Sequence, residues 1–141
     1  MISKVFIDSD VILDVATGRE PFVHDSKIVL SLIENGLALG VMSSNSITNI
    51  YYVLRKISTS ERARIFIREL LDIVHIISID HEIIKNALDS KFLDFEDGVQ
   101  NYCALKNQCD YIVTRNNKDY HFSELKVISP KEFNLLFNNL S

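Results

Sequence analysis

Hydrophobic positions along the chain fall into short continuous runs separated by longer stretches in which apolar residues recur every three or four positions, which predicts strands alternating with helices. Lys4-Val5-Phe6-Ile7 is a β-branched and aromatic run that stops at Asp8, so it reads as the first strand. A helix is expected from about Val11 to Gly18. Beyond the Arg19-Glu20-Pro21 break, a second helix carries Val29, Leu32 and Ile33 on one face and ends near Gly36. Leu37 to Met42 is the next strand. Ser43 to Ser46 supplies capping residues for a helix with Ile47, Ile50, Tyr51 and Leu54 at helical spacing. Ser58-Thr59-Ser60-Glu61 reads as a capping box ahead of the clearest amphipathic pattern, Ala63, Phe66, Ile67, Leu70 and Leu71.

The same alternation continues to the end. His75 to Ile79 is a strand; Asp80 caps a helix carrying Ile83, Ile84, Ala87 and Leu88; Asp94-Phe95-Glu96-Asp97 opens a helix running to about Lys106. Tyr111-Ile112-Val113 and Lys126-Val127-Ile128 are the last strands, and Ser129-Pro130-Lys131-Glu132 is a capping box with proline at the first helical position. Strands joined through helices require crossover connections. The fold class expected is therefore α/β, a three-layer α/β/α sandwich around a mainly parallel, roughly five-stranded sheet.

At 141 residues and 47% hydrophobic, the chain is expected to form one domain over residues 1–141, without a linker or repeat. No run approaches the roughly 18 apolar residues that cross a bilayer, and Met1 to Asp8 reaches charge too early for a secretory signal. A cytoplasmic location without membrane contact is the expectation. Cys103 and Cys109, six apart, fit neither a redox pair nor a zinc site and read as reduced thiols, with Cys103 on an apolar face beside Val99 and Tyr102. The four histidines, His24, His75, His81 and His121, show no metal-ligand spacing. The net charge of −4 argues against loose attachment to nucleic acid, so any such contact must be local. Arg55, Lys56, Arg62, Arg64 and Arg68 form the best basic patch, with Arg115 and Lys118 elsewhere; a solvated helix face explains the patch equally well.

Sites in open parallel sheets form beyond the carboxyl ends of the strands. Asp8-Ser9-Asp10, Ser43 to Asn49 and Thr114-Arg115-Asn116-Asn117 fall there, and the helix start at Asp94 to Asp97 can reach the same edge. Carboxylates gathered at one edge repel each other, and a divalent cation relieves that repulsion. Hard oxygen donors without paired His or Cys favour Mg²⁺ or Mn²⁺, ions that activate water and neutralise charge on a phosphodiester. Each element also has a plain structural reading. Asp94 and Asp97 make a good helix start by themselves, Asp10 and Asn45 can be caps, and Asn49 can be a polar face residue. Asp8 is harder to explain structurally, because it ends a buried apolar strand at the active edge.

Four segments together resemble the PIN domain family, which includes the toxin nucleases of VapC-type toxin–antitoxin systems: Val5 to Asp14, Ser46 to Lys56, Asp94 to Gln100 and Tyr111 to Tyr120. The resemblance implies an acidic site of up to four positions. The first falls on Asp8 and the third on Asp97. The second, commonly Glu, falls on Asn49, and the fourth, often Asp, falls on Asn116 with Asp119 close by. Asp10 stands where the family usually has Asn, and Thr114 is expected to fix the loop or a water. The implied function is a Mg²⁺-dependent endoribonuclease, the toxin of a toxin–antitoxin pair, with Asp8 and Asp97 as metal ligands, Asn49 and Asn116 assisting, and Asp10, Asp94, Glu96, Thr114 and Asp119 as supporting candidates. RNA as substrate, a homodimer and a small antitoxin are the partners it implies. One rival is a PIN-like module that binds RNA or protein without catalysis, having lost two acidic ligands. The other is a haloacid-dehalogenase-like phosphatase, in which Asp8 would be the nucleophile, Asp10 the general acid and Ser43 a hydroxyl after the next strand.

Overall fold

A computed structural model of the chain describes residues 2–138. Five parallel strands, β1 (Lys4–Ile7), β2 (Leu39–Ser43), β3 (His75–Ile77), β4 (Tyr111–Val113) and β5 (Lys126–Ile128), form one sheet in the order β3-β2-β1-β4-β5. β1 lies at the centre, with Phe6 opposite Val41 on one side and Ile112 on the other. The sheet order reverses at β1, so the carboxyl ends of β1, β2 and β4 sit side by side at one edge.

The alternation of side chains along each strand divides the core in two. Val5, Ile7, Met42, Val113 and Ile128 face one layer, built from α1 (Ser9–Thr17), α2 (Val23–Glu34), α3 (Ser44–Ile57), α4 (Ser60–Leu71) and α7 (Pro130–Phe137). Phe6, Val41, Ile77 and Ile112 face the other, built from α5 (His81–Leu88) and α6 (Phe95–Lys106). Central β1 residues are wholly buried on both faces, which is why Lys4 to Ile7 reads as a continuous apolar run rather than an alternating one. The expected α/β/α sandwich is what forms, and every expected strand is present.

Differences from expectation are local. The first helix begins at Ser9, earlier than its apolar pattern, because Asp8 caps it and accepts from the Ser9 N–H at 2.8 Å. The helix ends at Gly18, whose φ of 65° is a left-handed C-cap conformation that glycine adopts without strain. α4 is capped by Thr59, whose side chain accepts from the Arg62 N–H at 3.1 Å. Ser58 is instead the C-cap of α3, so the box expected over Ser58 to Glu61 does not form and the cap moves to Thr59, whose third residue on is Arg62 rather than Glu. Ser129 and Glu132 do form the expected reciprocal box on α7. A short 3₁₀ turn, Asn117–Tyr120, follows β4 and was not expected from the sequence pattern. Among the described residues no helix is long and apolar enough to cross a membrane.

The displaced cap is directly checkable. Thr59→Ala should lower stability by about 1 kcal/mol, whereas Ser58→Ala should change it by less than about 0.5 kcal/mol, read from urea midpoints. The reverse ranking would restore Ser58 as the cap.

Candidate active site

Asp8 leaves the end of β1 and its backbone N–H continues the sheet ladder onto the Val113 carbonyl at 2.9 Å. That register brings its side chain beside the residue following β4. Thr114, fully buried, donates its hydroxyl to Asp8 Oδ2 at 2.9 Å and stands 3.2 Å from Asp10 Oδ2. Asp10, on the first turn of α1, also accepts from the Arg115 N–H at 3.3 Å and from the Asn116 amide at 2.9 Å. Its other oxygen, Oδ1, is buried without a hydrogen-bond partner.

A second group of acids is presented by the start of α6. Asp94 is the N-cap and accepts from the Asp97 N–H at 3.1 Å, as its structural reading requires. Asp97, half-buried, shares an 80 Å³ hollow with Asp94, Asp119 and Lys118. Tyr120 joins the two groups: its buried hydroxyl donates to Asp8 Oδ2 at 3.2 Å and lies near enough to Asp97 to oppose the rise of its pKa. Burial and the negative charge of Asp8 push the Tyr120 pKa upward, so the hydroxyl stays protonated and serves as a donor.

The electrostatics are those of an uncompensated acidic centre. Burial first, and then the charge of Asp10, raise Asp8 from 3.8 to about 7, against the opposing hydrogen bond from Thr114. Burial followed by Asp94, Asp119 and Glu96 raises Asp97 from 3.8 to about 7. Asp10 is raised by burial and partly restored by Arg115. The Arg115 guanidinium is itself committed to Asp14, with Nε donating to Oδ2 at 2.7 Å and Nη2 to Oδ1 at 3.1 Å, and it lies 4.4 Å from the centre of the Phe22 ring. The free basic role open to Arg115 in the sequence is therefore taken by an internal ion pair.

Asn49 stands apart from the other candidates. Its amide donates to Glu96 Oε1 at 3.2 Å, which turns Glu96 toward α3. The two facing helices are held one turn away by a buried polar chain in which Gln100 Nε2 donates to Ser46 Oγ at 2.7 Å, with Ser43 Oγ 3.0 Å from Ser46 Oγ. Ser46 precedes Asn49 by one turn and Gln100 follows Asp97 by one turn, so this contact sets the separation of the two candidate residues. Cys103 and Cys109 are buried and free, with thiols pushed up by burial to about 11 and about 12, which leaves them inert as expected.

Asp8, Asp10, Thr114 and Asn116 thus converge, Asp97 and Asp119 approach them through Tyr120, and Asn49 with Glu96 closes one side. Tyr120, Asp14, Ser46 and Gln100 were not singled out by sequence reasoning. The partners that bring them to the site lie far away along the chain, Asp8 for Tyr120, Arg115 for Asp14 and Ser46 for Gln100.

Known proteins share this fold. A family model described as the PIN domain matches residues 4–118, which contain Asp8, Asp10, Asn49, Glu96, Asp97, Thr114 and Asn116. The chain belongs to the PIN domain family. It is 32% identical over 143 aligned residues to Ribonuclease VapC1 of Aquifex aeolicus, covering 97% of each protein. Its fold superposes on VapBC2 of Rickettsia felis bound to a promoter DNA fragment with a TM-score of 0.69 at 12% identity, covering 89% of this chain and 98% of that one. The VapBC-1 structure from nontypeable Haemophilus influenzae gives 0.69 at 15% identity, covering 91% and 98%. For Mycobacterium tuberculosis VapC20, a toxin that cleaves the sarcin–ricin loop, the score is 0.62 at 10% identity over 77% and 86% of the two chains.

Because the folded protein holds a proton on Asp8 up to a pH of about 7, while an unfolded aspartate releases it near 3.8, metal-free stability must fall as pH rises through that window. The Asp8→Asn substitution removes the charge and should gain about 2 to 4 kcal/mol on the native chain between pH 4 and pH 8 in chelator. Denaturant midpoints at the two pH values check this, and parallel pH profiles for both proteins would contradict it.

Proposed function

We propose that the chain is a divalent-metal-dependent endoribonuclease acting as the toxin of a toxin–antitoxin pair. The observation that carries this reading is the convergence of Asp8 and Asp97, on different elements, into one centre where both carboxyls are raised to about 7 and, among the described residues, neither forms an ion pair. Among the described residues no three His, Cys, Asp or Glu side chains form a ready cage for a metal. Mg²⁺ needs no such cage, since it uses one or two carboxylates and completes its shell with water and substrate phosphate. The donor chemistry fits: acid oxygens only, an excess of negative charge, and an Asp10 oxygen buried without a partner.

In this reading Asp8 and Asp97 hold Mg²⁺ or Mn²⁺, which when bound supplies the Lewis acidity that activates water and offsets charge on the phosphodiester. Thr114 orients Asp8 by donating to Oδ2, and Tyr120, at the end of the 3₁₀ turn in the same segment, fixes the same oxygen. Asp10 supplies the charge that Asn116 lacks, since the Asn116 amide donates to Asp10 and the pair together presents one carboxylate to the edge. Asp119 adds negative potential beside Asp97. Asn49 holds Glu96 in place and Asp94 keeps its structural task as the cap of α6.

The 32% identity to a ribonuclease supports RNA as substrate, and the likeness in fold to toxin–antitoxin complexes supports an antitoxin partner. Exposed Tyr52 and Ile57 on α3 and Ile65 on α4 offer apolar surface for protein partners, a homodimer among them. A cytoplasmic location accords with free cysteines. The phosphatase alternative finds no support, because Asn116 and Asn117 stand where it wants a late acidic pair and the family match is to the PIN domain.

The deciding experiment is cleavage of single-stranded RNA with Mg²⁺ and with chelator. Asp8→Asn and Asp97→Asn should each reduce the rate at least about 100-fold, and Asp10→Asn should do so more mildly, by about 10-fold. Equal rates in all of these proteins, or no cleavage by the native chain, would favour a binding module instead.

A further inference from the structure

Beside the acidic centre lies a groove of about 610 Å³, within the size range of ligand sites, between the start of α3 and the start of α6. Asn45, Thr48 and Asn49 line one wall, Phe95 and Glu96 the other, and Ile84 contributes to its apolar part. We propose that this groove is a subsite for one unpaired nucleobase of the RNA, next to the phosphodiester that is cut; the proposal rests on the nuclease reading above.

Three features single out a base over other occupants. Phe95 is the first residue of α6 and is 49% exposed, a large apolar side chain that the core does not use and that offers a face for stacking. Glu96 is the only charged residue among those lining the groove, so a phosphate would be repelled while the N–H groups of a base edge would be attracted. The Asn49–Glu96 hydrogen bond, 3.2 Å, keeps that carboxylate pointed at the groove and leaves Oε2 open to a ligand. The position also fits. Glu96 is the chain neighbour of Asp97, so a base lodged beside Phe95 brings its adjoining phosphate toward the acids.

Binding of fluorescently labelled short single-stranded RNAs in chelator tests this without any cleavage. Phe95→Ala should weaken binding by about 10-fold and Phe95→Tyr should leave it within about 2-fold of the native chain. Removing the base at one position of the RNA should weaken native binding by a similar factor yet have no further effect on Phe95→Ala, the non-additivity expected of a direct contact. In Mg²⁺ the same Phe95→Ala change should raise KM and leave kcat within about 2-fold. Unchanged binding by Phe95→Ala, additive losses at every abasic position, or no detectable binding of any such RNA by the native chain would each overturn the subsite. A native chain that shows the coupled binding yet does not cut RNA would overturn the nuclease and leave the subsite standing.

Discussion

One hydroxyl proton organises the acidic edge. Thr114 Oγ1 lies 2.9 Å from Asp8 and 3.2 Å from Asp10, but it has a single proton and can satisfy only one carboxylate at a time. Asp10 therefore depends on the Arg115 N–H and the Asn116 amide, and Asp8 on the Ser9 N–H and Tyr120. All but one of these donors belong to residues 114–120. The segment after β4 thus acts as a clasp on the end of β1, and the parallel β1–β4 pairing is what sets its distance. Were β4 paired elsewhere in the sheet, Asp8 would keep only the Ser9 N–H and Asp10 would lose its donors, and one would have to take up a proton or leave the interior.

The opposite charges nearby are arranged so as not to cancel that edge. Arg115 sits in the same segment but is turned to Asp14, a carboxylate only 2% exposed, where a bidentate pair satisfies both of its oxygens. An unpaired Asp14 would be untenable in that position. By occupying Arg115, Asp14 prevents the guanidinium from forming a closed ion pair with Asp8 or Asp10. The remaining basic residues of the patch, Arg55, Lys56, Arg62, Arg64 and Arg68, lie on α3 and α4, and Arg64 rests over the Tyr51 ring at 5.9 Å. Negative potential is concentrated at one edge by the fold itself.

What could be read from sequence follows the range of the interaction. Strands such as Lys4–Ile7 and Tyr111–Val113 are visible because burial on both faces of a parallel sheet demands an unbroken apolar run, and caps such as Asp80 and Ser129 are visible because their partners lie three residues away. Thr59 and Ser58 are chemically equivalent neighbours, so only the path of the chain between α3 and α4 decides which one caps. Asp8 could be singled out by position, since a carboxylate ending a central strand has little structural reason to be there. Tyr120 could not, because its hydroxyl meets Asp8 across 112 residues. Ser46 and Gln100 were hidden for the same reason, being 54 residues apart and each unremarkable on its own helix.

An acidic protein with an acidic centre must hold a polyanion by something other than general charge. A net charge of −4 gives no long-range attraction to phosphates, and no basic residue lines the groove beside Phe95. Uncharged contacts to bases are then the natural source of affinity at the site, and bases are accessible to such contacts only where the strand is unpaired. The aromatic face of Phe95 beside a carboxylate meets that requirement, whereas a duplex would present its phosphates first to the acids. Under the proposed nuclease reading, the negative charge that would call for a cation at Asp8 and Asp97 would also favour flexible, single-stranded segments whose backbone can approach once their bases are held.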